Sequence, residues 1–172
     1  MAVRMPKIIS SEEAARVRRK RSVTGTELFM GKSVISKMAF HADLGFADNK
    51  EVMGLIMGSL YVDDEGEYAV AEGTATSGLV ATDVSVRFDP DSIEDLFSSI
   101  DENKCNTVIG WYHSHPGFGC YMSDVDVKTH KEIFGGRTGF SAVLDPSDET
   151  LMVFVNEKGE IRQARMIVSK DL

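Results

Sequence analysis

The stretch from Val108 to Asp126, VIGWYHSHPGFGCYMSDVD, constrains the fold more than any other part of the chain. Val108 to His115 is rich in β-branched and aromatic side chains and stops at Pro116-Gly117, so it reads as a buried strand ended by a turn. Residues two apart on a strand face the same way and lie roughly 7 Å apart. His113 and His115 can therefore aim two imidazoles at one ion with bonds of about 2.0 Å, while Ser114 faces away. A loop of glycines and aromatics follows. Ser123-Asp124-Val125-Asp126 then reads as a helix start, with Ser123 at the N-cap and Asp126 one turn in, which brings Asp126 back over the strand end. Two His and one Asp make three protein ligands, and a zinc with three keeps a fourth position for water. Each piece also has an ordinary structural reading. A lone His-x-His is a weak signal, and Ser-x-x-acid before apolar residues is a capping pattern.

His113-Ser114-His115-Pro116, Ser123 and Asp126, with Glu51 upstream in Glu51-Val52-Met53-Gly54-Leu55-Ile56-Met57-Gly58, resemble the JAMM motif of the MPN+ metalloproteases. The run Gly110 to Cys120, GWYHSHPGFGC, is similar to the branch holding the deubiquitinating subunit of the proteasome lid and the isopeptidase subunit of the COP9 signalosome. Tyr121-Met122 stands where eukaryotic relatives tend to have Trp-Leu, a change that keeps bulk. The resemblance covers Thr26 to Val168. It implies an α/β (α+β) architecture, the MPN fold, with a mixed curved β-sheet sandwiched by helices. It also implies one catalytic Zn2+ on His113, His115 and Asp126. In isolation Glu51 is an exposed strand-edge residue; the motif match makes it the base that a zinc site needs.

The reaction so implied is hydrolysis of the isopeptide bond between the C-terminal Gly of ubiquitin, or a ubiquitin-like modifier, and a substrate lysine. Zinc makes hydroxide available at neutral pH and polarises the carbonyl. Glu51 takes the proton of the attacking water and returns it to a leaving amine of pKa about 10.4. The Ser123 hydroxyl shares the oxyanion with zinc, and Cys120 need not be a nucleophile. An extended diglycine tail suits strand addition to a sheet edge, for which Thr76 to Phe88, with Thr76, Val84, Val86 and Phe88, is the candidate groove. Partners are ubiquitin or ubiquitin-like conjugates, with the proteasome or another MPN-type subunit as a further possibility. Two other readings stay open: a zinc hydrolase of a sulfur-carrier adduct or short peptide, and a non-catalytic MPN scaffold. Scaffold members lack one or more ligands, whereas all five motif residues are present here. A zincin is excluded by the absence of His-Glu-x-x-His, and a nucleobase deaminase by the absence of Pro-Cys-x-x-Cys.

The net charge of -8 makes nucleic acid an unpromising partner. It hides an asymmetry: residues 1–21 carry +5 and the remainder -13. The chain therefore divides into a basic N-terminal extension, 1–25, and a catalytic domain, 26–172. Ser10-Ser11-Glu12-Glu13 can cap a short helix leading into the basic cluster Arg16 to Arg21, which is either a solvated extension or a partner-binding arm. No apolar run reaches signal-peptide or membrane-span length, so a cytoplasmic protein with no membrane partner is expected. The chain stops at Leu172 without the long C-terminal helices by which eukaryotic subunits join their complexes, which favours a compact, archaeal-type enzyme; a truncated chain would look the same. Cys105 and Cys120 read as free thiols.

Outside the motif the expected elements are a strand over Thr26 to Met30 and a helix from Ser33 to Gly45, which ends it. A hairpin of Glu51 to Val62 and Glu67 to Thr76 closes on Asp63-Asp64-Glu65-Gly66. Thr82 to Phe88 is an alternating piece, and Asp89 to Asn103 a helix with Ile93, Leu96, Phe97 and Ile100 on one face. After the Ser123 helix come a strand over Thr138 to Leu144, parallel to the histidine strand, and a last hairpin of Leu151 to Val155 and Ile161 to Val168 across Glu157-Lys158-Gly159. His41 reads as a packed or edge histidine, Trp111 as core, and His130, between lysines, as solvated.

Overall fold

The computed structural model describes residues 8–9, 26–63, 66–103, 107–157 and 159–169. The helix expected from Ser10, the Arg16 to Arg21 cluster, Cys105, and the centres of the turns at Asp64-Glu65 and Lys158 lie outside them. In chain order the elements are β1 (Ile8–Ile9), β2 (Glu27–Gly31), α1 (Lys32–Ala47), β3 (Met53–Asp63), β4 (Gly66–Ala75), β5 (Leu79–Ala81) and β6 (Val86–Phe88). A 3-10 turn at Pro90–Ser92 leads to α2 (Ile93–Asp101), then β7 (Val108–Ser114), α3 (Asp124–Phe134), β8 (Phe140–Asp145), β9 (Thr150–Glu157), β10 (Glu160–Gln163) and β11 (Arg165–Ser169).

Among the described residues nine strands form one mixed sheet in the order β1-β11-β2-β4-β3-β7-β8-β9-β10. The β7–β8 pair is parallel, with α3 as its connection, so the strand-helix-strand expectation holds. Helix α1 buries Val34, Met38 and Ala42, residues at i, i+4 and i+8, against one face made of Leu28, Ile56, Tyr112, Phe140 and Val153. On the other face Phe134 of α3 packs on Met53 and Trp111, and Leu96 of α2 on Met57 and Ala75. The sheet is thus covered by helices on both sides.

Four expectations change. The last hairpin is shorter: β10 pairs with β9, but after Ala164, whose N–H donates to Val153 O, the chain leaves as β11 and pairs in parallel with β2 at the far side of the sheet. No turn residue marks this switch, and curvature brings the sheet's two sides together, with Thr26 Oγ1 3.3 Å from Glu157 Oε1. Thr82 to Phe88 is not one strand. Residues 82–85 form the turn of a separate β5–β6 ribbon, closed by Thr82 N–H donating to Ser85 O. The face of α2 is only partly covered: Leu96 is buried and Phe97 is exposed.

Gly45, finally, does not end α1, which runs two residues further. A Cβ there would stand 2.4 Å from Val52 Cγ1 and 2.7 Å from the Lys50 carbonyl oxygen, so the glycine serves close approach to the entry of β3. A helix-interior Gly→Ala change ordinarily stabilises, by roughly 0.5–1 kcal/mol. Gly45→Ala should instead cost about 1–3 kcal/mol through overpacking, read from urea unfolding. A gain in stability would remove the close-approach constraint.

Candidate metal centre

β7 lies between β3 and β8 and is buried along nearly its whole length. The period of two sends His113 to the α3 face of the sheet, and His115, just past the strand, is still latched by its N–H to Leu144 O at 2.8 Å. His113, His115 and Asp126 are all buried. The His113 ring stacks on Trp111, with centroids 4.5 Å apart and planes at 14°.

Asp126 arrives as expected. Ser123 caps α3, its Oγ accepting from Asp126 N at 3.2 Å, while Asp126 Oδ2 accepts from Ser123 N at 2.8 Å. The capping box and the site are therefore the same residues. The Ser123 side chain also lies against the Asp126 carboxylate and helps to keep it ionised.

His113 Nε2 and His115 Nε2 are 3.2 Å apart, His113 Nε2 is 3.3 Å from Asp126 Oδ1, and His115 Nε2 is 3.4 Å from Asp126 Oδ2. Two imidazole lone pairs cannot face one another at such a distance without a proton or a cation between them. A tetrahedral ion bound at about 2.0–2.1 Å holds its donors roughly 3.3–3.4 Å apart, so this set fits a zinc-sized cation. Among the described residues these three are the one group of His, Cys, Asp or Glu gathered tightly enough to hold a metal ion.

Burial opposes ionisation of Asp126, yet hydrogen bonds from both histidines outweigh it and keep the carboxyl well below the usual range. Burial holds the His113 ring below its ordinary value. At His115 burial pulls the same way, but Asp126 and the Glu51 charge prevail and raise it.

Glu51 precedes β3 by two residues and stands outside the ligand group, buried at 7% exposure. Its N–H donates to Thr82 O at 2.8 Å. Its neighbour Val52 is fastened to the histidine strand twice, Val52 N–H to Ser114 Oγ and Ser114 N–H to Val52 O, both 3.0 Å. Ser114, facing away from the imidazoles, thus sets the position of Glu51. Burial pushes the Glu51 carboxyl up to about 7; His115 pulls it down, and Asp126 and Asp83 push it up. A cation on the three ligands would favour its ionised form.

The groove residues separate. Thr76 Oγ1 donates to Met53 O at 2.9 Å, Val84 is exposed in the β5–β6 turn, and Val86 and Phe88 pack towards Met53 and Trp111. Cys120 is half-buried against Thr150, with its thiol pushed up by burial, and is not among the gathered ligands. His41 Nδ1 meets Tyr112 Oη at 2.8 Å, the edge role expected of it.

His130 is not solvated. It is 0% exposed, its Nδ1 accepting from Trp111 Nε1–H at 3.2 Å and lying 2.7 Å from Ser141 Oγ. Its lysine neighbours in sequence point off the outer face of α3, while position 130 falls on the inner face one turn after Asp126. Helical phase, not flanking charge, decided its burial. Reading from the motif also missed Tyr121, whose ring lies 4.9 Å from that of His115, and Asp145, which accepts from the amides of Gly117 and Gly119. An acid at the end of an apolar strand, opposite a Gly-x-Gly loop, was the available signal for Asp145.

Burial lowers the His130 pKa to about 4 from 6.5. Between those values the unfolded chain takes up a proton that the folded chain refuses, so stability falls as pH drops through that window. For the chelated protein, urea unfolding of His130→Asn should lose about 2 kcal/mol less than wild type between pH 7 and pH 5. An identical loss would mean that His130 is open to solvent.

Residues 25–134 match the family model described as JAB1/Mov34/MPN/PAD-1 ubiquitin protease. Among curated proteins, COP9 signalosome complex subunit 5 of Neurospora crassa is 37% identical over 130 residues, 73% of this chain and 37% of the relative. Ubiquitin carboxyl-terminal hydrolase RPN11 of Saccharomyces cerevisiae is 32% identical over 152 residues, 83% of this chain and 46% of the relative. The chain thus spans less than half the length of these curated relatives. The solution structure of protein DSY2949 from Desulfitobacterium hafniense shares the fold, with a TM-score of 0.58 at 17% identity over 84% of this chain and 94% of that one. Spanning well over half of its length, the family match makes this chain a member of the JAB1/Mov34/MPN/PAD-1 ubiquitin protease family.

Proposed function

We propose that this protein is a zinc-dependent isopeptidase that cleaves ubiquitin or a ubiquitin-like modifier from substrate lysines. The observation carrying this reading is the convergence of His113 Nε2, His115 Nε2 and the Asp126 carboxylate to 3.2–3.4 Å, beside a buried glutamate. Two imidazoles and one carboxylate suit zinc and leave a position open for catalysis. When bound, the ion supplies Lewis acidity, bringing the pKa of coordinated water to about 7 and polarising a carbonyl.

The chain's own residues do the rest. Glu51 accepts a proton from the attacking water, a role suited to a buried carboxylate with a shifted pKa, and returns it to the leaving lysine amine, which has a pKa of about 10.4 in water. Ser123, pinned as the N-cap of α3, offers its hydroxyl proton to the substrate carbonyl oxygen as negative charge develops. The β5–β6 ribbon, joined to Glu51 through Thr82 O, presents the edge along which an extended modifier tail adds as a strand, with Thr76, Val84, Val86 and Phe88 as the nearby groove residues. Residues 26–172 would constitute the catalytic domain and 1–25 a basic extension. A cytoplasmic setting and a proteasome or MPN-type partner belong to the same reading. Among the described residues no helix is long and apolar enough to cross a membrane.

The test is cleavage of a lysine-linked ubiquitin-like conjugate by the zinc-loaded protein, beside a chelated sample. Glu51→Gln should keep its zinc and lose turnover by about 10²–10⁴-fold. Turnover at the wild-type rate would remove Glu51 as the base. Asp126→Ala should weaken zinc binding itself, measured by competition with a chromophoric chelator, because it deletes one of three protein ligands and leaves the histidine pair uncompensated. Uptake of zinc with no cleavage of conjugates, but with cleavage of short peptides, would move the substrate class.

A further inference from the structure

We propose that Asp145, which is no part of the ligand set, is a positioning residue that selects the ring tautomer of His115. The proposal rests on the reading of His113, His115 and Asp126 as metal ligands.

Asp145 is the last residue of β8 and is 2% exposed. The parallel register pairs Ser114 with Leu144, so Asp145 comes level with His115 one strand away. Its carboxylate collects the loop that follows. Oδ1 accepts from Gly117 N at 2.9 Å and Oδ2 from Gly119 N at 2.6 Å, while Ser147 adds its N–H at 2.9 Å and its hydroxyl at 2.7 Å. Gly117 and Gly119 both have φ of +81°, a conformation that L side chains rarely adopt, and this bend lets two amides converge on one carboxylate. Burial opposes ionisation of Asp145, but these hydrogen bonds prevail and keep its carboxyl below the usual range.

The same Gly119 that is held by its N–H turns its carbonyl to His115 Nδ1, 3.2 Å away. A carbonyl oxygen only accepts, so Nδ1 must carry the proton. In a neutral ring that leaves the lone pair on Nε2, the atom facing His113 Nε2 and Asp126 Oδ2. The chain of cause therefore runs from Asp145 to the Gly119 amide, from the Gly119 carbonyl to Nδ1–H, and from there to a ligating Nε2. A carboxylate is required because both of its oxygens accept. An asparagine would keep Gly117 and Ser147 on its oxygen and turn an NH2 group towards the Gly119 N–H, releasing the one amide that aims the carbonyl.

The experiment uses the full chain and zinc alone. Asp145→Asn should weaken zinc affinity by about 10–100-fold, read by chelator competition. In the 15N-edited imidazole spectrum of the chelated wild type, at a pH where the ring is neutral, His115 should carry its proton on Nδ1, and in chelated Asp145→Asn that single state should give way to a mixture of tautomers. A proton on Nε2 of wild-type His115 would overturn the proposal whether or not the variant folds. Zinc affinity that falls in Asp126→Ala but not in Asp145→Asn would overturn the positioning role alone. A wild-type chain that takes up no zinc would overturn both this proposal and the metal-site reading beneath it.

Discussion

The double hydrogen bond between Val52 and Ser114 is the junction on which the centre depends. It stands one residue beyond the last β3–β7 pair, Met53 with His113, and joins two peptides whose neighbours are Glu51 on one side and His113 and His115 on the other. The serine between the two histidines has its back to them, and for that reason it can reach the other strand. Without that rung Glu51 would be a carboxylate on a loop, free to move into water. With it, the Glu51 backbone is held at the entry of β3 and its side chain stays buried.

Burial sets the second condition. Two imidazoles and a carboxylate are gathered in a space closed by Trp111 and the first turn of α3. Such a group is costly unless something compensates it. Asp126 and the histidines do so partly among themselves, and a cation does so more fully. The supporting contacts are divided between the two rings: His113 is oriented by stacking on Trp111, whose indole N–H is held by His130, and His115 by the carbonyl of Gly119. One imidazole is held by shape and the other by a hydrogen bond.

The convergence of His113, His115 and Asp126 was legible because each of its relations is local. His113 and His115 follow from the alternation of a strand, and Asp126 from its place after a serine cap, so both need only a few neighbouring residues. Glu51 was legible through the family motif and not through its surroundings, since an acid at the start of an apolar run is normally exposed. His130 was misread because flanking lysines suggest solvent while helical phase placed it under Trp111. β11 was misplaced because Ile161 to Val168 has the pattern of one strand, and nothing in that pattern records a change of partner at Ala164.

By itself, then, the sequence determined the strand, turn and capped helix from Val108 to Asp126, and with them the donor atoms of the site, because strand alternation and helix capping act over fewer than five residues. The tertiary structure decided what surrounds those donors. Parallel pairing of β7 with β8 brought Asp145 to the loop beyond His115, antiparallel pairing with β3 brought Glu51 to the mouth of the site, and curvature of the sheet carried β11 across to β2. These are contacts between residues far apart in the chain, chosen by which faces can be buried together, and that choice is made by the whole sheet at once.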